Sequence, residues 1–556
     1  MGKSCFFSLL FVVAILALGM TADAAVFLVS NTNDSGVGSL RDALNQANAA
    51  PGADTIVFMI PAPPYIIFPL SQLPPLTDPA GVLIDGYSQP GSNPGASPPS
   101  TAVPLIELDG ISAGGVHGFW IKTPNNTIQG LIINNFEQDG IHIEATPYPT
   151  SNNIIWANFI GTDSSGTIRK GNGRNMASLW AGVTIAGSFD TPGVAMDNHV
   201  RGNLISANYA EGVSIMSLAG NDVFGNWVEM GNYIGTDITG LVDLGNDHDG
   251  VYLGEGTHDN VVCDNLISGN DFEGVSIVGY PEDVISTYSN IVQSNIIGLK
   301  QDLTPLPNTL CGVAIGRYGP AYFGGFAPNN QVLTNTIAHN GRNGVTVWEH
   351  ASTPSNADGN RISQNAIYDN GILGIDLDDD GVTVNDPNDP DSGANQDENY
   401  PVITIADYCA GTTAVSGTVD IDTDPTLAVV EIFLALPDPS GYGEGAVFLG
   451  QAVPATGGSW QFTCFRQLVP GDLVTATCTD LNGNTSEFAQ YITVVLLSTC
   501  GDLNGDGNTD AQDALDLANY LAGAAIIFAG NADLNLDGVI DAVDLALLMQ
   551  VLAGNL

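Results

Sequence analysis

"NHVRGNLISANYAEGVSI", Asn198 to Ile215, and "NVVCDNLISGNDFEGVSI", Asn260 to Ile277, share one spacing: Asn, five residues to Asn, five to Asn, four to Gly. "NQVLTNTIAHNGRNGVTV" from Asn330 and "NRISQNAIYDNGILGIDL" from Asn360 keep it, and looser copies begin near Asn126, Asn153, Asn221 and Asn290. Between the asparagines stand two- or three-residue apolar-alternating segments. A hairpin reversal needs a loop of its own, and this spacing leaves no room for one. The segments fit the sides of a coil lying on the coil before it, with like strands paired in parallel about 4.8 Å apart. Asn tolerates the left-handed backbone of a corner, and stacked Asn amides can hydrogen-bond along a ladder. The alternation sends Val213, Ile215, Val275, Ile277, Val345 and Val347 inward and Ser214 outward. The predicted class is mainly β: a parallel β-helix solenoid whose coils bury their faces against one another. Cys263 and Cys311 fall in its apolar strands and are expected as buried free thiols.

Two coils carry longer connections, "NFIGTD" (Asn158 to Asp163) and "NYIGTD" (Asn232 to Asp237), and "NIIGLK" from Asn295 is a degenerate third. Such insertions in solenoids map to one face, often the binding face. Towards the N-terminus, "VSNTNDSGVGSLRDALNQANAAPGADTIVFMIP" (Val29 to Pro61) and "LPPLTDPAGVLIDGYSQPG" (Leu73 to Gly91) resemble the cap of bacterial exported right-handed β-helix proteins. The "IGTD" coils and "GIDLDDDGVTVNDPNDPDSGANQDENYPV" (Gly374 to Val402) resemble the same group. The resemblance implies a right-handed β-helix over residues 25–403, with Ser39 to Ala49 as an amphipathic helix plugging its open end. Related folds include pectate lyases, polygalacturonases and adhesins, so fold does not settle activity.

Residues 404–498 change character. "AVSGTVDIDTDPTLAVVEIFLAL", "SWQFTCF" and "DLVTATCTDLNGNTSEFAQYITVV" alternate apolar and polar residues between turn clusters. They predict an immunoglobulin-like β-sandwich that spaces or displays its neighbours. Cys409, Cys464, Cys478 and Cys500 could pair there, in any of three connectivities.

The tail, 499–556, holds "DLNGDGNTDAQD" from Asp502 and "DLNLDGVIDAVD" from Asp533. Asp502, Asn504, Asp506, Asn508, Asp510 and Asp513 stand at positions 1, 3, 5, 7, 9 and 12 of the first; Asp533, Asn535, Asp537, Val539, Asp541 and Asp544 repeat them. Calcium takes six to eight oxygens, which alternate residues of a tight loop can converge on one ion. Gly507 and Gly538 permit the sharp turn, position 7 offers its backbone carbonyl, and position 9 can act through water. Position 12 is Asp rather than Glu, and one helix follows each loop, Ala514 to Leu521 and Leu545 to Leu552. This duplicated loop and helix resembles a type I dockerin. The resemblance implies two calcium ions and docking to a cohesin-type domain. It also implies a role in choosing the cohesin for positions 10 and 11, Ala511-Gln512 and Ala542-Val543, which differ from the hydroxyl pairs of cellulosomal forms.

Charge and composition bound the function. The chain of 556 residues has 12 basic and 60 acidic side chains, a formal charge of −48, and is 44% hydrophobic. It repels polyanions, which argues against nucleic acid and anionic membrane as partners; an acidic polysaccharide would need a bridging cation. Lys3, the apolar run Phe6 to Leu18 and Ala22-Asp23-Ala24 predict a cleaved secretory signal over residues 1–24 and an extracellular or cell-surface protein. No later segment predicts a membrane span.

Catalytic candidates are sparse. Asp247 and Asp249 flank His248, Trp348-Glu349-His350 ends a strand, and Asp376 to Asp386 contains an acidic turn that a looser calcium site would suit. Arg169, Lys170 and Arg174 form the single basic cluster, few cations for a uronate lyase. The position after each coil's Gly-apolar pair reads His142, Thr184, Ser214, Tyr252, Ser276, Ala314, Thr346 and Asp376, mixed and mostly neutral. Three classes follow: a glycan- or surface-binding protein attached through its dockerin, a polysaccharide hydrolase or lyase carried on the β-helix, and a structural surface component.

Overall fold

The computed structural model describes residues 24–556 except 176–179, 189–190, 280–284, 317–325, 350–355, 391, 410–411, 466, 498–499, 531, 535–538 and 554–556. All but the last residue of the predicted signal lies outside the described residues. Three long sheets dominate: eleven strands from Val26–Val29 to Arg361–Ser363, ten from Ile66–Ile67 to Ala366–Tyr368, and nine from Phe119–Ile121 to Ile375–Leu377. Their pairings are parallel, so the chain is a parallel β-helix, as the spacing predicts. In the nine-stranded sheet, Val183, Val213, Val251, Val275, Val313, Val345 and Ile375 stack in register. Ile185, Ile215, Leu253, Ile277, Ile315, Val347 and Leu377 form a second stack, and both are buried in one core. Each such side chain contributes about 1.5–3 kcal/mol by leaving water.

The corners are held by asparagine ladders. Asn126, Asn153, Asn198, Asn226, Asn260, Asn290, Asn330 and Asn360 form the first, each Nδ2 donating to the next Oδ1 at 2.8–3.3 Å. The second runs from Asn158 through Asn203, Asn232, Asn265, Asn295 and Asn335 to Asn365. The third runs from Asn172 through Asn208, Asn246, Asn270, Asn308 and Asn340 to Asn370. The same Oδ1 usually also accepts the backbone N–H of the preceding rung, as in Asn153 to Asn198 at 3.1 Å. A second Nδ2 proton reaches back to a strand carbonyl, as from Asn203 to Ile155 at 2.8 Å.

One expectation is corrected in detail. The left-handed residue at these corners is the one before the ladder asparagine: Ala157, Asp264, Ser294, Thr334 and Gln364 have φ of 53–58°. The corner residue turns the chain, while the asparagine after it keeps its N–H and amide along the stack.

The "IGTD" connections are short excursions that stack on each other, Ile238 N–H donating to Gly166 O and Gln301 N–H to Gly240 O, both at 3.0 Å. At the N-terminal end, helix α1 (Leu40–Ala49) is capped by Ser39, whose Oγ accepts the Asp42 N–H at 3.1 Å. Its Leu40, Ala43, Leu44 and Ala47 join the β-helix core, the plug the sequence predicts.

Residues 402–496 form two four-stranded sheets around a second core that includes Val415, Val430, Ile432, Trp460 and Val474. They do not merely space or display: they close the C-terminal end of the β-helix. Phe433 and Phe488 enter its core. Three buried glutamates finish its three open edges. Glu431 accepts from Gln364 N–H at 2.8 Å, Glu444 from Asn370 N–H at 3.0 Å, and Glu487 from Leu377 N–H at 3.0 Å. Of the four expected disulfide partners only Cys409 and Cys500 are joined, with Cα atoms 5.3 Å apart across 91 residues; Cys464 and Cys478 are buried free thiols, as are Cys263 and Cys311.

Val275→Asp puts an unpaired carboxylate inside the core and is expected to cost about 3–5 kcal/mol in thermal or denaturant unfolding; wild-type stability in that variant would remove the inward assignment. Burial pushes the Glu444 carboxyl up to about 7, while the Asn370 bonds oppose it. Its contribution is therefore full below the ordinary Glu range and lost as pH rises through 7. Glu444→Gln should accordingly raise the melting temperature relative to wild type at pH 9 and change it little at pH 4. Glu444→Ala, which removes the acceptor of the Asn370 N–H, should cost about 1–3 kcal/mol at pH 4 and less at pH 9, where it also removes the buried charge.

Candidate functional sites

In the tail, helices α2 (Ala511–Leu521) and α3 (Ala542–Leu552) each begin three residues earlier than the sequence predicts, at position 10 rather than after position 12. The reason is the capping box. Asp510 and Asp541, at position 9, are the N-caps and accept from Gln512 and Val543 N–H, both at 2.7 Å. Asp513 and Asp544, at position 12, answer from the third helical residue. Asp513 Oδ2 accepts Asp510 N–H at 2.8 Å and Oδ1 accepts Leu503 N–H at 2.8 Å; Asp544 does the same with Asp541 and Leu534 at 2.7 Å each. Position 12 thus ties the loop's start to its helix, and the short Asp side chain spans that gap. Leu503 and Leu534, at position 2, turn inward with Leu517 and Leu548 to form the small core between the helices.

The first loop curls around its own carboxylates. Asp502 accepts the N–H groups of Gly505 at 2.8 Å, Asp506 at 3.2 Å and Gly507 at 2.9 Å. Asp506 accepts from Asn508 N–H at 2.9 Å and from Asn504 Nδ2 at 3.2 Å. These bonds, led by the Asn508 N–H, hold the Asp506 carboxyl below its ordinary value. In the second loop Asp533, Val539, Asp541 and Asp544 are described; Asn535 and Asp537 lie outside the described residues. Asp502, Asn504, Asp506, Asp510 and Asp513 present only oxygen as donor atoms, which fits a hard cation such as calcium.

The β-helix face is less uniform. The residues after each Gly-apolar pair do stack in register, Trp120 on His142, Thr184, Ser214, Tyr252, Ser276, Ala314, Thr346 and Asp376. Ser214, Ser276, Thr346 and Asp376 point away from the core yet are buried. Asp249 is fully buried beside this stack; burial, then the neighbouring Glu273 charge, raises its pKa well above the ordinary range. Asp247 does not share that site, because it pairs with Arg169. Glu349 N–H donates to Asp378 at 3.0 Å, and His350 lies outside the described residues.

The basic cluster is fully engaged. Lys170 pairs with Glu107 at 2.6 Å and Asp109 at 3.4 Å, Arg169 also lies over the Tyr209 ring, and Arg174 donates to Asn135 O at 3.1 Å. In the acidic turn, Asp379 is paired with Arg342 at 2.9 Å, and Asn343 donates to Asp376 at 3.0 Å. Burial and then the Asp379 charge push Asp376 up to about 7.

Residues 500–553 match the family model of the dockerin type I domain. Type I dockerins bind calcium, pair with cohesins and belong to extracellular or cell-surface proteins, and no helix among the described residues is long and apolar enough to cross a membrane. Among solved structures, the chain is similar to the A-module of the Azotobacter vinelandii mannuronan C-5 epimerase AlgE6, at 16% identity and a TM-score of 0.37, over 63% of this chain and 78% of that one. It is also similar to the periplasmic alginate epimerase AlgG, at 14% identity and a TM-score of 0.24, over 56% and 75%. The catalytic domain of a GH87 α-1,3-glucanase, D1068A, in complex with tetrasaccharides matches at 13% identity and a TM-score of 0.28, over 62% and 69%. At those scores the likenesses carry nothing about activity. The parallel sheets and the matched tail together identify a β-helix protein that ends in a type I dockerin domain.

Proposed function

We propose that this is a secreted, modular calcium-binding protein whose tail attaches it to a cohesin-type partner while the β-helix meets an extracellular glycan or surface ligand. The observation that carries the attachment is the matched geometry at Asp513 and Asp544, each bonding position 2 and position 9 of its own loop. Two loops with the same spacing of oxygen-bearing residues call for two ions. The first would be held by Asp502, Asn504, Asp506, Asp513 and the Asn508 carbonyl, with Asp510 through water. The second would be held by Asp533, Asn535, Asp537, Asp544 and the Val539 carbonyl, with Asp541 through water. Calcium supplies charge neutralisation to a loop of carboxylates that otherwise repel within a few ångströms. The apolar core behind the loops is small, so ion binding contributes much of the module's folding free energy. Docking then uses exposed helix positions such as Ala511, Gln512, Ala542 and Val543.

A second reading, a polysaccharide hydrolase or lyase carried on the β-helix, draws on Asp249, the buried carboxyl beside Glu273 with a raised pKa. The pairing of Arg169 and Lys170 with carboxylates of this chain favours binding over uronate cleavage.

In the full chain, calorimetry is expected to give two calcium ions per molecule. Chelation should abolish a low-temperature unfolding transition and leave that of the β-helix in place. Asp502→Ala combined with Asp533→Ala should remove both the calcium heat and cohesin capture. A chain that binds no calcium, or that docks equally well in excess chelator, would sink the proposal. The enzymatic reading predicts new reducing ends or unsaturated products from a polysaccharide panel, lost in Asp249→Asn with the melting temperature kept.

A further inference from the structure

A cluster unrelated to the tail sits on the outer face of the nine-stranded sheet, at its N-terminal edge. His117 precedes the strand Phe119–Ile121; Asp139 and His142 bracket the start of the next strand, Ile141–Glu144, which pairs with it. Asp139 is 0% exposed and His117 7%. Asp139 Oδ1 accepts the Ala181 N–H and the Thr184 hydroxyl, each at 2.7 Å. Its Oδ2 faces two imidazoles at once: His142 Nδ1 at 2.7 Å and His117 Nδ1 at 3.1 Å. The two rings stack with centroids 4.4 Å apart, and the three candidate ligand atoms all lie within 4.8 Å of one another.

Hydrogen bonding alone leaves this arrangement incomplete. His117 Nδ1 is buried and lacks the alignment of a hydrogen bond despite its nearness to Asp139, whereas buried polar nitrogens are nearly always satisfied. A second buried donor stands beside it. The Trp180 ring meets His117 edge-on at 5.3 Å, and its Nε1–H has no acceptor among the described residues. Lys122, on the same face, is committed to Glu144 at 2.9 Å and lies over Trp120. A fully buried carboxylate carries a desolvation cost that a cation would offset.

We propose that His117, Asp139 and His142 bind a divalent transition-metal ion, zinc foremost, through two Nδ1 atoms and Oδ2, with a fourth position open. Imidazole nitrogen with carboxylate oxygen suits zinc and disfavours calcium, so the site is chemically distinct from the tail loops. Zinc bonds of about 2.0–2.1 Å in a tetrahedron put ligand atoms about 3.3 Å apart. The observed 2.7 and 3.1 Å therefore need to open only slightly. On binding, the proton on His142 Nδ1 leaves that atom and both rings carry their hydrogen on Nε2. An oxygen in the fourth position is the kind of acceptor that Trp180 lacks.

The test uses the full chain, freed of metal by chelator and returned to buffer with excess calcium so that the tail loops are occupied. Zinc chloride titration should give one zinc per chain by calorimetry and elemental analysis. Cobalt(II) should give the visible absorption of a four-coordinate site. His142→Ala and His117→Gln should each weaken zinc by about a hundredfold and abolish the cobalt bands. His258→Ala, at a half-buried histidine beside Asp222 and Asp259, should change neither, and Asp502→Ala with Asp533→Ala should leave the zinc stoichiometry at one. A wild-type chain that holds no zinc overturns the proposal whatever the variants do; so does zinc binding that survives both histidine substitutions.

Discussion

The structure depends on one hydrogen bond repeated coil after coil: an asparagine amide donating to the asparagine stacked next to it. A β-helix corner leaves the strand ladder, so its backbone N–H points along the axis into a buried space where an unmade bond is costly. The asparagine Oδ1 takes that N–H and the Nδ2 of the same neighbour together, as Asn198 does for Asn153. The side chain thereby substitutes for a sheet where the sheet stops. The same rule governs both ends. At the start, Val82 N–H donates directly to Asn126 Oδ1 at 3.0 Å, so the ladder begins without a preceding rung. At the finish Asn395 accepts the last N–H of the first ladder at 2.9 Å, and Glu444 that of the third at 3.0 Å.

The fold was legible because its signal is local and repeated. Four coils have no insertion between their asparagines, so the spacing stands bare in the sequence and the inward residues follow from it. Asn172, Asn246 and Asn308 belong to the same third ladder but follow polar excursions, which hides their register until the excursions are seen to leave and rejoin the coil. The tail loops were equally legible, being contiguous dodecamers whose partners lie within ten residues. The helix starts were not, because Asp510 and Asp541 read as ligands before they read as N-caps.

Long-range sites left little trace. His117 and Asp139 lie 22 residues apart with nothing in common to mark them; only the coil length brings them onto one face. Glu431, Glu444 and Glu487 carry no motif of their own, and their burial depends on a neighbour that sequence alternation cannot see. The same holds for the scarce cations. Arg169, Lys170 and Arg342 look available for an acidic ligand in a chain with net charge −48, but each is drawn to a carboxylate of this chain.

The Cys409–Cys500 bridge has a mechanical consequence. A protein held by its docked tail and loaded through its β-helix is pulled along its backbone. Tension arriving at Cys500 crosses directly to Cys409 at the end of the strand Val402–Cys409 and passes on to the last coils. The 90 residues between the two cysteines hang as a closed side loop that bears none of the axial force and cannot be drawn out to add length. An oxidised chain therefore behaves as a short, stiff tether. Reduction would place the sheets that close the β-helix in series with the load and expose the ends of the asparagine ladders to it.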